Sequence, residues 1–177
     1  MIVSRKLVIG LLSVISVFLF SACSHVMMPR GPIPVTREVV GSMDVNKAIS
    51  FENGAPETKP SYMGNAGLHK YYANYRLWTG FIIGHLETEL KDRGVQVKPD
   101  SEEVFKVKVE QVDLIQGFAA MRCIVTVRVE KKNGTWSKSY EGNNASPASG
   151  YRAIDGAVYK AVVAILQDKD FMDALMK

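Results

Sequence analysis

From Met121 to Lys131 the chain reads MRCIVTVRVEK, and apolar and polar side chains change places at almost every step. Met121, Cys123, Val125, Val127 and Val129 fall on one side, and Arg122, Ile124, Thr126, Arg128 and Glu130 on the other. A period of two is that of a strand with one buried face. The stretch EVFKVKVEQVDLI before it alternates in the same way. Phe105, Val107 and Val109 oppose Lys106, Lys108 and Glu110; then the phase slips, and Val112 and Leu114 become the apolar set. A β-bulge near Gln111 accounts for the slip. Gln116-Gly117 is the predicted turn between these strands. Asn133-Gly134 is a strong hairpin signal. It pairs Lys132 with Thr135, Val129 with Lys138 and Val127 with Tyr140, which makes TWSKSYEG the return strand. Lys138 then lies on the valine side. That placement suits a sheet edge, where a lysine reaches solvent and discourages further pairing.

Two stretches carry the helical period. Leu77, Phe81, Ile82, Leu86 and Leu90 recur every three to four residues, with Tyr75, Trp78 and Ile83 beside them, and Gly94 is a natural stop. They predict a helix over 73–93, in which Gly80 and Gly84 either let it lie close on a sheet or meet a partner helix. Ile154, Ala157, Val158, Ala161, Val162, Ile165 and Leu166 predict a second helix over 151–167. Asp170 is positioned to cap a short last helix carrying Phe171, Met172 and Leu175. Residues 45–51 read as a first strand, 52–67 as a turn-rich loop, and NNASPASG as a small-residue loop without the lysine of a phosphate cradle. The order predicts an α+β two-layer sandwich. An antiparallel sheet of three to four strands carries the long helix and the C-terminal helix on one face. The other face shows Lys106, Lys108, Glu110, Arg122, Ile124, Thr126, Arg128, Glu130, Ser137 and Ser139.

The N-terminus follows neither period. Arg5 and Lys6 precede an apolar run over residues 7–20, and small Ser21 and Ala22 lead to Cys23. This is the order of a secretory signal peptide. The run is shorter than the ~20 residues that span a bilayer as a helix. Phe20-Ser21-Ala22-Cys23 resembles the bacterial lipobox. The resemblance implies cleavage after Ala22 and lipid on Cys23, palmitate included. Ser24 in place of Asp implies the periplasmic face of the outer membrane of a Gram-negative bacterium. Residues 1–22 are thus expected to be a lipoprotein signal peptide, 23–43 the lipidated cysteine and a flexible tether, and 44–177 a single periplasmic domain. HVMMPRGPIPVT has three prolines and no period, and such a tether could reach ~60 Å.

Composition alters this picture little. The net charge is +4, and without Arg5 and Lys6 there are 20 basic against 18 acidic residues, which argues against nucleic acid as a partner. With Cys23 lipidated, Cys123 is a lone thiol in the apolar set of a strand, so no disulfide or metal framework is expected. His25, His69 and His85 show no metal spacing. Glu87 and Glu89 point to different helix faces and make no acid–base pair. No cofactor, no metal and no enzyme activity are therefore expected.

The arrangement resembles the YajG-like family of bacterial outer-membrane lipoproteins. The residues that carry this are LETELKDRGVQV after a helix, the EVFKVKVEQVDL strand, the pair joined by EKKNGTWSKSYEG, and the IDGAVYKAVVAIL helix, together with the lipobox. The resemblance implies an outer-membrane periplasmic lipoprotein with a small α/β domain, and the family has no well-defined enzymatic activity to carry over. Similar small domains recur in envelope-assembly lipoproteins that act by binding other proteins. The expected function is therefore a non-enzymatic binding or assembly component of the cell envelope. Its candidate contacts would be the open sheet face, with Lys106, Lys108, Arg122 and Arg128, and the edge strand, with Trp136 and Lys138, facing an envelope protein or a second copy. The alternative is a glycan- or lipid-binding module using Tyr71, Tyr72, Tyr75, Arg76 and Trp78.

Overall fold

The alternating stretches form a four-stranded sheet in a computed structural model, which describes residues 23–43, 45, 47–56 and 59–176. The signal peptide expected over 1–22 lies outside the described residues. In the order of the chain the strands are β1 (Ser24–Met27), β2 (Ile49–Asn53), β3 (Ser61–Ala66), β4 (His69–Ala73), β5 (Glu103–Gln116), β6 (Met121–Lys131) and β7 (Ser137–Ser146). The helices are α1 (Tyr75–Asp92), α2 (Gly150–Gln167) and α3 (Lys169–Met176). The large sheet runs β2-β5-β6-β7, with β7 at one edge. Val127 pairs with Tyr140 and Val129 with Lys138, the register that Asn133-Gly134 predicts. The β5–β6 ladder slips between Val109 and Gln111, at the predicted bulge. Val107, Val109, Val112 and Leu114 consequently all face the core and are at most 2% exposed.

Both long helices cover one face of this sheet. α2 lies over β6 and β7, and α1 over β5 and β2. Asn74 caps α1 and Ser149 caps α2, each side-chain oxygen accepting from an N–H three residues on. Among the described residues no helix lies on the other face. The fold is α+β, as the pattern predicts, with three differences. β2 is parallel to β5, so the sheet is mixed. A parallel neighbour needs a long crossover, and β3, β4 and α1 supply it. β7 runs on through Asn143 and Asn144 to Ser146, where a loop was expected. And β1, β4 and β3 form a second, mixed sheet, order β1-β4-β3, alongside the far half of β5.

The second sheet overturns the expected tether. Ser24–Met27 pairs with Lys70 to Ala73, and Met27, Val35, Val40 and Met43 are buried in the core. Trp78 Nε1 donates to Met27 O at 2.8 Å. Arg30 reaches Asp155 through its backbone N–H at 3.0 Å and its guanidinium at 3.2 Å. The next turn is held by buried ions on α1. Arg93 donates to Val35 O at 2.7 Å and to Val40 O at 3.2 Å, while Glu89 Oε1 accepts from Val35 N at 2.9 Å and Oε2 pairs with Arg93 at 2.6 Å. The prolines of this segment remove backbone donors; Glu89 and Arg93 satisfy Val35 and Val40 O, and Val39 N and Val40 N turn back to Thr36 O.

α1 also turns a different face inward than the period suggests. Trp78, Thr79, Ile82, His85, Leu86, Glu89 and Leu90 are buried, whereas Leu77 is 54% exposed. Gly80 and Gly84 lie on the outward side, and nothing approaches Gly84 within contact distance.

Candidate functional site

Four of the six residues expected at the candidate contacts lie on the sheet face away from the two long helices, three of them together. Lys106, Lys108 and Arg128 border a shallow depression of about 350 Å³ with Gly54, Glu110 and Glu130. Arg122 lies further along β6, opposite Ile115. Lys108 and Arg128 are directly opposed in the β5–β6 ladder. Like charges so placed repel each other. Arg128 is steadied by Glu130, 3.0 Å from its Nε, and by Ser137 Oγ, 3.0 Å from Nη2. Ser139 Oγ donates to Glu110 Oε2 at 3.0 Å. The face is therefore an exposed charged ladder, held in place by short polar contacts, with two cations across one rung.

Trp136 and Lys138 do not join it. Both point to the helix side of β7. Trp136 stacks into an aromatic group with Phe105 and Phe171, ring centroids 6.3 and 5.9 Å away. Lys138 Nζ bonds Asp168 at 2.8 Å and Asp170 at 2.9 Å. The period of two separates Trp136 and Lys138 from Ser137 and Ser139: they belong to the expected edge strand, and β7 does lie at the edge of the sheet. Asp168, not Asp170, caps α3, accepting from Phe171 N at 3.2 Å and from Tyr140 Oη at 2.6 Å. Burial pushes the Asp168 carboxyl up, but the hydrogen bonds from Lys138, Tyr140 and Phe171 outweigh it and hold it below the usual carboxylate range. Burial, with the Asp168 hydrogen bond added, raises the Tyr140 phenol well above its ordinary value.

The aromatic residues of the alternative reading are also dispersed. Trp78 is fully buried. Tyr75 is half-buried, and its hydroxyl accepts from Val112 N at 3.3 Å. Tyr72 packs edge-on against Tyr62, and Tyr71 stacks on His25. They make no common platform. Tyr71 instead lines a groove of about 340 Å³ with His25, His69, Met27, Leu114 and Tyr151. His25 Nε2 and His69 Nδ1 lie 3.0 Å apart there.

Three further groups bear on chemistry. Cys23 is exposed. Cys123 is buried, and desolvation pushes its thiol up to about 12, so it stays protonated. His85 is buried with its Nε2 3.5 Å from Glu89 Oε1, and neither ring nitrogen has a hydrogen-bond partner among the described residues. Desolvation lowers its pKa, opposed by Glu89, so it is held neutral. The His85-Glu89-Arg93 group, spaced four residues apart, was missed in the sequence because charged residues near a helix end read as solvated. The i, i+4 spacing was the signal available. Among the described residues no three His, Cys, Asp or Glu side chains gather to hold a metal ion, and no described helix is long and apolar enough to cross a membrane.

No family model and no curated protein matches the chain. Its fold is similar to that of protein XCC0632 from Xanthomonas campestris, whose crystal structure is assigned to the family model DUF330. The TM-score is 0.54 at 9% identity, over 86% of this chain and 93% of that one. At that identity the likeness is one of fold alone.

Proposed function

We propose that this chain is a lipid-anchored, non-enzymatic binding or assembly component of the Gram-negative envelope, presenting the helix-free face of its large sheet to an acidic protein segment. The observation that carries the reading is the rung Lys108–Arg128. Two cations held opposite each other on an uncovered face repel in the free protein, and a carboxylate set between them relieves both. The lipobox-like FSAC and the resemblance of the 78–175 stretch to YajG-like lipoproteins support the anchor, the periplasmic location and the outer membrane.

Photo-crosslinking from Lys108, Arg122 and Arg128 in living cells, read by mass spectrometry of attached peptides, tests it. A reproducible protein partner attached through acidic peptides is the expected result. The Arg122→Glu/Arg128→Glu double variant should then lose that partner while keeping its thermal midpoint within a few degrees. Crosslinks to cell-wall or membrane material alone, or a complex indifferent to both charge reversals, would remove the sheet face from the function.

A further inference from the structure

Four segments of chain meet at one end of the molecule. The Gly67-Leu68 turn joins β3 to β4, and Gly67 N donates to Gln116 Oε1 at 2.6 Å. That bond ties it to the β5–β6 turn, which Gly117 N closes by donating to Ala120 O at 2.9 Å, with Phe118 and Ala119 at its tip. Met121 pairs with Ser146, so Pro147 and Ala148 lie beside the same turn. β1 starts there too: Ser24 pairs with Lys70, and Lys70 N donates to Cys23 O at 3.0 Å.

This end is apolar and bordered by basic residues. Phe118 is fully exposed, Leu68 75%, Val26 58% and Ile115 48%. Residues 23–26, 66–69, 116–121 and 146–149 include no Asp, Glu, Lys or Arg. The exposed charges that follow three of these segments in the chain are Lys70, Arg122 and Arg152. Asp113 stands further up β5, and Asp155 is paired with Arg30 at 3.2 Å. The opposite end of the sheet is unlike it, with Lys132 paired to Glu52 and Lys131 to Glu103.

We propose that this end is a docking surface for a phospholipid bilayer. Phe118 and Leu68 enter the interfacial layer beside the acyl chains on Cys23, and Lys70 and Arg122 meet headgroup phosphates. The proposal rests on the reading of Cys23 as lipidated. The chain itself argues for lipid over a second copy. Cys23 immediately precedes β1, and β4, its neighbour about 4.8 Å away, begins one residue after Leu68. An acyl chain on Cys23 therefore brings the bilayer to Leu68. A lipid anchor with a long tether would leave the domain free to stand off; an anchor on the first residue of a sheet seats it. Each inserted side chain multiplies retention by roughly tenfold or more, and the basic border adds attraction to anionic lipid.

The test uses the lipidated full chain carrying Leu68→Cys, Phe118→Cys or Asn133→Cys, each coupled to a polarity-sensitive fluorophore. All three positions lie in exposed turns, and Cys123 is buried and protonated, so labelling is selective. Asn133 is the control, about 35 Å along β6 from Phe118. On vesicles of phosphatidylethanolamine and phosphatidylglycerol, the labels at 68 and 118 should shift to the blue and be quenched by brominated lipid, while the label at 133 stays aqueous. Labels at 68 and 118 as wet as that at 133, on protein still bound to the vesicles, would overturn the docking surface and leave the anchor standing. Absence of lipid on Cys23 by mass spectrometry would overturn both. A blue shift without quenching, accompanied by a crosslinked dimer, would assign the surface to a second copy and overturn the lipid.

Discussion

A Cβ on Gly142 would lie 1.9 Å from Ala157 O and 2.6 Å from Ala161 N, so this glycine lets α2 press its backbone onto β7. Neither obstacle is the end of a flexible side chain. Gly142→Ala should therefore cost about 3 kcal/mol or more, read as a lowered urea midpoint with an unchanged slope. His85 makes a prediction of a different kind. Its folded pKa is depressed by burial, so below about 6.5 the unfolded chain takes up a proton that the folded one refuses. Stability should fall as pH drops from that value toward the folded pKa, and His85→Gln should flatten this part of the profile. Parallel wild-type and variant slopes in a pH series of denaturation curves would show that His85 has the same pKa in the folded and the unfolded chain. Glu89, which it faces, holds Val35 and pairs with Arg93, which holds Val35 and Val40, so protonation also bears on how the N-terminal segment is gripped.

At the scale of elements, α3 is an eight-residue helix that would not form alone. Asp168 starts it, and Phe171 seats it against Trp136 and Phe105. Asp168→Ala should cost about 2 kcal/mol through the lost cap and the unpaired Tyr140 hydroxyl, and Asp170→Ala less than about 0.5 kcal/mol. A larger loss from Asp170→Ala than from Asp168→Ala in thermal unfolding would place the cap where the sequence suggested. The large sheet was legible because its apolar positions alternate over ten residues or more, and even the bulge at Glu110 left its mark as a slip of phase. The small sheet was not. β1 buries Met27 alone, β3 Met63 and β4 Ala73, too few positions to show any period. The four cations of the open face were legible by the same alternation, which also put Lys138 on the valine side of an edge strand. The Glu89–Arg93 grip is a long-range arrangement, 53 residues or more from its targets, that no local pattern announces.

For the whole molecule, the N-terminal segment is the decisive test of architecture. If residues 24–43 were a tether, deleting them would leave stability unchanged. Burial of Met27, Val35, Val40 and Met43, and the loss of partners for Glu89, Arg93 and Trp78, predict instead a loss of at least about 3 kcal/mol, measured by denaturing full-length and shortened mature chains side by side. The β1–β4 pairing also has a mechanical meaning. A pull at Cys23 acts along the axis of β1, and the hydrogen bonds to β4 lie across that axis. Tension therefore shears the whole set of pairs together and cannot peel them open one at a time. Behind them, the Trp78–Met27 bond and the Arg30–Asp155 pair share the load. Force exchanged between a membrane at one end and a partner on the sheet would thus travel through the body of the fold, and the molecule would transmit a tug instead of slackening under it.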